Sequence, residues 1–196
     1  MIISHQHQFI FVAIPKTGTH AIRFALRSHL GEQDEEQVGL FEESQLRHPE
    51  LAKIGNGHIK AQEGYLHLPY WSSYFSFSFV RNPYDRLVSF AHFFYAKHPV
   101  MQKHPTLHLK KLLLFPPKKK MLWFCPQVDF LVDIEGELKV NFVGKVEQLQ
   151  EDYRQVCNKL NLPEEELKKV NSSSHHNFQH YFDEELAEMT FNYYKK

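Results

Sequence analysis

Several things are scarce in this 196-residue chain. Two cysteines, Cys125 and Cys157, exclude a disulfide framework, and their spacing suits no zinc site. No apolar run approaches membrane-spanning length. The first residues lack a basic segment followed by a long apolar one, so neither a secretory leader nor a membrane anchor is expected. Net charge is zero, with 23 Lys and Arg against 23 Asp and Glu, so nothing global points to nucleic acid. Fourteen histidines are many, yet none forms H-E-x-x-H. No repeat recurs and no linker interrupts the chain. One domain over residues 1–196 is therefore expected, cytoplasmic by default. A local scarcity is sharper. The 43 residues from Arg86 to Val128 contain no Asp or Glu, against eight Lys or Arg and four His. That segment would focus positive potential and attract a polyanion or an acidic small molecule. A lysine-rich surface balanced by the acids at 32–50 explains it equally well.

What is present starts at Phe9. Six apolar residues, Phe9 to Ile14, carry no charge and predict a strand buried on both faces, as in a parallel sheet. Pro15 ends it. Thr17, Gly18 and Thr19 supply hydroxyls and a flexible backbone where a helix should begin. Ile22, Leu26 and Leu30 follow at helical spacing, and Gly31 can close the helix. A strand, a tight loop and a helix N-terminus make an anion site, to which Lys16 adds a full charge. The loop is not a Walker A motif, because Lys16 precedes Gly18 rather than following the last glycine. A lysine in an ordinary turn remains the alternative.

Further along, the acids at 32–50 read as a solvated surface, with one short helix between Glu42 and Lys53. Gly55-Asn56-Gly57 presents His58 at the start of an extended segment, accessible and with a pKa suited to proton transfer. A surface histidine on a hairpin is the plainer reading. Residues 64–75 read as an aromatic loop. Ser76 to Val80 alternates as a strand, and Pro83 opens a helix with Leu87, Val88, Ala91 and Phe94 on its apolar stripe. Arg81 would then stand at the carboxyl edge of the sheet, where open α/β sheets bind ligands. With Ser89 it could hold a phosphate, or it could simply pair with Asp85. Short helices and loops should fill 86–128. Residues 129–134 and 138–143 suggest two strands joined by a turn. Helices should follow from Val146 to Leu160, over 164–170, and after Asp183 as cap. The sum is an α/β class fold, three layers around a mostly parallel sheet.

Pro15-Lys-Thr-Gly-Thr19 and Val80-Arg-Asn-Pro-Tyr-Asp-Arg-Leu-Val-Ser89 together resemble the sulfotransferases that use 3′-phosphoadenosine 5′-phosphosulfate (PAPS). The likeness is to the carbohydrate branch with the heparan and chondroitin enzymes. Val140 to Glu147 with Leu149, Asp152 and Tyr153 is a third matching stretch. Asn171-Ser172 with Tyr181 and Glu184 to Leu186 is a fourth. The resemblance implies that Lys16, Thr17, Gly18 and Thr19 hold the 5′-phosphosulfate, and that Arg81 and Ser89 hold the 3′-phosphate. Gly57-His58 is similar to the Gly-His pair of uronyl sulfotransferases, which makes His58 the base. His20 stands where the family has a small hydroxyl residue and could add a donor to the sulfonate. The implied reaction moves the sulfonate to a hydroxyl of a carbohydrate or other small acceptor, an anionic one included, and needs no metal. An ATP-dependent kinase and a non-catalytic polyanion-binding module are the other readings.

Overall fold

A computed structural model describes residues 1–39, 44–118, 121–168 and 176–195. Parts of the sequence reading lie outside them: Glu42 and Glu43, Lys119 and Lys120, the last two residues of the helix expected over 164–170, and Asn171 and Ser172. The chain forms two compact units, one of residues 1–80 and 127–170, the other of 81–126 and 171–196.

The first unit holds a five-stranded sheet. Its strands are β1 (Ile2–Ser4), β2 (Phe9–Val12), β3 (Glu35–Glu36), β4 (Phe75–Val80) and β5 (Phe142–Lys145), in the order β3-β1-β2-β4-β5. β2 pairs parallel to β4, and β4 parallel to β5, whereas β1 runs antiparallel to both β2 and β3. The expected mostly parallel sheet is thus a mixed one. A tight turn at residues 5–8 lets β1 and β2 pair as a hairpin, which forces opposite directions.

Register puts the aromatic residues on one face. Phe9 and Phe11 lie opposite Phe75 and Phe77, and Phe77 opposite Phe142. The Phe11 and Phe77 rings stack at 5.3 Å. Helices α1 (Thr19–Arg27) and α8 (Leu149–Leu160) cover this face with Ile22, Ala25, Leu26, Tyr153, Val156 and Cys157. The other face is buried as well, at Ile3, Ile10, Val12, Ser76 and Ser78. The Ser-Phe alternation of β4 therefore does not mark a solvent face. Ser78 instead donates to the Val12 carbonyl at 2.7 Å, which satisfies its hydroxyl inside the sheet.

Several local expectations change. α1 stops at Arg27, and Gly31 serves a separate turn in which its N–H donates to Asp34 at 2.9 Å. Among the described residues, the helix expected between Glu42 and Lys53 is α2 (Pro49–Ala52), and α3 (Ala61–His67) occupies the start of the supposed aromatic loop. The acids at 34–36 are structural rather than merely solvated. Asp34 accepts from Ser4 and from the N–H groups of His5 and Gln6, and Glu36 pairs with Arg23 and Arg27. The hairpin expected over 129–143 reduces to one bridge, Val132 with Leu138. Asp133 takes up the N–H groups of Glu135 and Glu137, and the next segment pairs with β4 instead. Residues 164–168 form no helix. Gln150 and Arg154 of α8 hold the segment through Leu167 and Glu164.

The second unit is helical among the described residues. It contains α4 (Pro83–Tyr95), α5 (Pro99–Lys103), α6 (Pro105–Leu114), α7 (Met121–Phe124) and α9 (Glu184–Tyr194). Leu87, Phe90, Met101, Leu109, Phe124 and Leu186 sit in its core. Asn82 caps α4 by accepting from the Tyr84 N–H at 2.9 Å, and Asp183 caps α9 by accepting from Leu186. Among the described residues no helix is long and apolar enough to cross a membrane.

Candidate functional site

The loop after β2 is built by diverting carbonyls from the sheet. β2 ends at Val12, two residues before the apolar run does. The Ile14 carbonyl accepts from the Thr17 hydroxyl at 3.0 Å and from the Thr19 hydroxyl at 2.7 Å. These hydroxyl hydrogens hold the loop's own backbone. The donors the loop can offer an anion are therefore its backbone N–H groups and the Lys16 ammonium.

Lys16 (φ 68°) and Gly18 (φ 72°) are both left-handed. At glycine this conformation costs little, but at lysine it is uncommon and strained. Such strain concentrates where a site requires it. Left-handed residues in a tight turn aim successive N–H groups to one side, which makes an anion-binding hollow. Gly18 is also the N-cap of α1, with no side-chain cap of its own, so the positive helix end opens on the same loop. His20 stands on the first turn of α1. Loss of water around its ring lowers its pKa, and the positive charges of Arg23, Lys16 and Arg27 lower it further.

His58 is not at a strand edge, because no strand forms at 58–60, and its side chain is half-buried. Asn56 Oδ1 accepts from the His58 N–H at 2.8 Å and sets the turn. The ring Nδ1 lies 2.8 Å from the Ala13 carbonyl oxygen. A carbonyl only accepts, so Nδ1 carries the hydrogen and Nε2 keeps its lone pair. Burial drives the pKa from its ordinary 6.5 down to about 3, against the opposing pull of the Ala13 bond. The ring is neutral, and its position is tied to the residue that leads into the Lys16 loop.

A stability consequence follows from the sign of that shift. Between about 3 and 6.5 the unfolded chain protonates His58 and the folded one does not. The fold should therefore lose stability as pH falls through that window, by up to about 1.4 kcal/mol per unit, and His58 should have no effect above it. Urea unfolding at neutral pH and near pH 5 measures the loss, which His58→Gln should reduce by about 2 kcal/mol.

Arg23 was not among the residues singled out from the sequence. It is 5% exposed on α1, where Nη1 donates to Glu36 at 2.6 Å and Nη2 to the carbonyls of Gln37 and Gly57, each at 3.0 Å. A Cβ on Gly57 would stand 2.5 Å from the Gln37 oxygen and 2.8 Å from Arg23 Nη2, so only glycine admits the guanidinium here. Arg23 thus fixes the residue preceding His58. The signal was available: Arg23 interrupts the buried stripe that Thr19, Ile22 and Leu26 mark on α1.

Lys16, Thr17, Gly18, Thr19, His20 and His58 belong to the first unit, while Arg81 and Ser89 belong to the second. The carboxyl ends of the parallel neighbours β2 and β4 lie at one sheet edge, and Arg81 is the residue after β4. The Arg81–Asp85 pair is formed, Nε to Oδ2 at 2.7 Å. Ser89 is 2% exposed, two turns into α4. The cations of 86–128 do not act alike. Arg86 is buried and donates to the Cys125 and Trp123 carbonyls, and Lys110 pairs with Asp183 and Glu185. Asp133, Glu135 and Glu137 gather their carboxylates, and Lys139 bridges Asp133 and Glu137.

A sequence model of the sulfotransferase family matches residues 1–107, more than half of the chain. The matched span contains the Lys16 loop, His58, Arg81 and Ser89. No curated protein and no solved structure matches the chain. The chain belongs to the sulfotransferase family.

Proposed function

We propose that the protein transfers the sulfonate group of PAPS to a hydroxyl of an acceptor, with residues 1–196 acting as one sulfotransferase domain. The observation that carries this reading is the loop at 15–18. Left-handed Lys16 and Gly18 close a buried strand onto a helix N-terminus, and the Ala13 carbonyl leading into this loop fixes the His58 ring through Nδ1. A loop of this kind suits a phosphosulfate, because the backbone N–H groups of a helix N-terminus and a lysine both favour an anion, and the threonine hydroxyls hold the loop in shape.

In this reading Lys16, Thr17, Gly18 and Thr19 hold the 5′-phosphosulfate, and His20 adds a donor. Arg81 and Ser89 hold the 3′-phosphate. PAPS supplies an activated sulfonate with adenosine bisphosphate as leaving group. The acceptor hydroxyl attacks sulfur in line and passes its proton to His58 Nε2, while the Lys16 ammonium stabilises the charge growing on the leaving phosphate. Positioning and electrostatics do most of the catalysis, as in phosphoryl transfer, and no step here requires a metal. The Gly57-His58 pair favours a carbohydrate acceptor, including an anionic one, or another small hydroxyl compound. A cytoplasmic setting belongs to the same proposal.

Calorimetric titration tests it. Adenosine 3′,5′-bisphosphate should bind more tightly than ATP and without Mg²⁺. Lys16→Ala and Arg81→Ala should each weaken it by roughly 10- to 100-fold, the loss of one charge-assisted contact. Removing Arg81 also leaves Asp85 without its 2.7 Å partner, which adds repulsion to the loss. Tight Mg²⁺-dependent ATP binding would overturn the proposal in favour of a kinase.

A further inference from the structure

We propose that the exposed face of α6, with the segment after it, docks the protein on an anionic membrane surface. α6 is divided along its length. His108, Leu109, Leu112 and Leu113 are buried, while Leu107 and Leu114 on the opposite face are 47% and 62% exposed, with Lys111 exposed between them. In the chain, Phe115, 77% exposed, and exposed Lys118 follow α6, and exposed Lys103 and His104 precede it. Within α6, positions 107, 111 and 114 recur at helical spacing, so Lys111 lies between Leu107 and Leu114 on one face.

The surrounding charge is one-sided. The second unit carries eleven Lys and Arg against five Asp and Glu. Three of the five acids are already engaged, Asp85 with Arg81 and Asp183 and Glu185 with Lys110. An anionic partner is therefore required, and the apolar residues decide which. A sulfated or carboxylated polysaccharide would use the lysines but gain nothing from Leu107, Leu114 and Phe115. A second copy of the chain would bring like charges together. A bilayer uses both chemistries: the apolar side chains enter below the headgroups, and the lysines stretch along them to the phosphate level. Anionic lipid then attracts each remaining cation.

Sedimentation of the full chain with vesicles tests this. Vesicles with about one-third phosphatidylserine in phosphatidylcholine should carry the protein down at low salt, and pure phosphatidylcholine should not. Leu114→Ser with Phe115→Ser should weaken that binding roughly tenfold, and Lys111→Glu with Lys118→Glu at least as much. These side chains are exposed, so both variants should keep the wild-type thermal midpoint and bisphosphate affinity. Three results would each overturn the proposal. One is no sedimentation with phosphatidylserine vesicles, whether or not heparin binds. Another is vesicle binding unchanged by the Leu114 and Phe115 substitutions. The third is a dimer in gel filtration that those substitutions dissolve.

Discussion

Replacing His58 with alanine is expected to cut turnover by roughly 10²- to 10⁴-fold, the usual contribution of a positioned general base. The affinity for adenosine 3′,5′-bisphosphate should stay the same, because the proposed contacts to the nucleotide come from other residues. The geometry specifies the pH behaviour too. With Nδ1 donating to Ala13, only Nε2 can take a proton. In the unliganded protein that nitrogen is a weak base, since burial holds the pKa at about 3. A multiply charged anion bound in the Lys16 loop would stabilise the imidazolium and raise the pKa. The acidic limb of kcat, which reports the complex, should therefore lie at higher pH than the acidic limb of kcat/KM, which reports the free enzyme. Normal turnover in the alanine variant would move the base elsewhere, with His20 the next residue to test.

Arg23→Met is expected to cost about 3–5 kcal/mol in urea unfolding, as when one partner of a buried charged pair is removed. Whole domains are stable by only about 5–15 kcal/mol, so the variant should be close to unfolding. The loss has identifiable parts. Glu36 loses its 2.6 Å partner and keeps Arg27, and the carbonyls of Gln37 and Gly57 each lose a donor at 3.0 Å. Methionine has similar length but no hydrogen to donate. Adding Glu36→Leu should recover part of the stability, because a carboxylate left with one of its two arginine partners goes with it. If Arg23→Met unfolds like the wild type, the guanidinium is not a structural clamp. A folded remnant of the variant should also turn over more slowly, since Gly57 positions His58.

The comparison of elements explains which sequence signals could be trusted. The β2 run, the Pro83 start of α4, the end of α8 at Leu160 and the Asp183 cap were legible because each rests on neighbours in the chain. Asn161, for instance, ends α8 by adopting the left-handed conformation at φ 53°. The 129–143 hairpin was misread because two short strand-like stretches beside a turn do not say what each pairs with. Asn141 and Ser76 bond each other through side chain and backbone, which commits the segment to β4 rather than to 129–134. His58 was read as accessible because its acceptor, Ala13, lies 45 residues away.

From the residues alone came the strand, loop and helix order around Lys16, the α/β class and the kinship with sulfotransferases, since these depend on short stretches of backbone preference and on motif identity. Tertiary packing alone decided the mixed sheet, the neutral half-buried state of His58, the Arg23 clamp on Gly57 and which cations of 86–128 face outward. Those properties belong to contacts between distant segments. Burial, desolvation and the satisfaction of buried polar groups exist only once the segments have met.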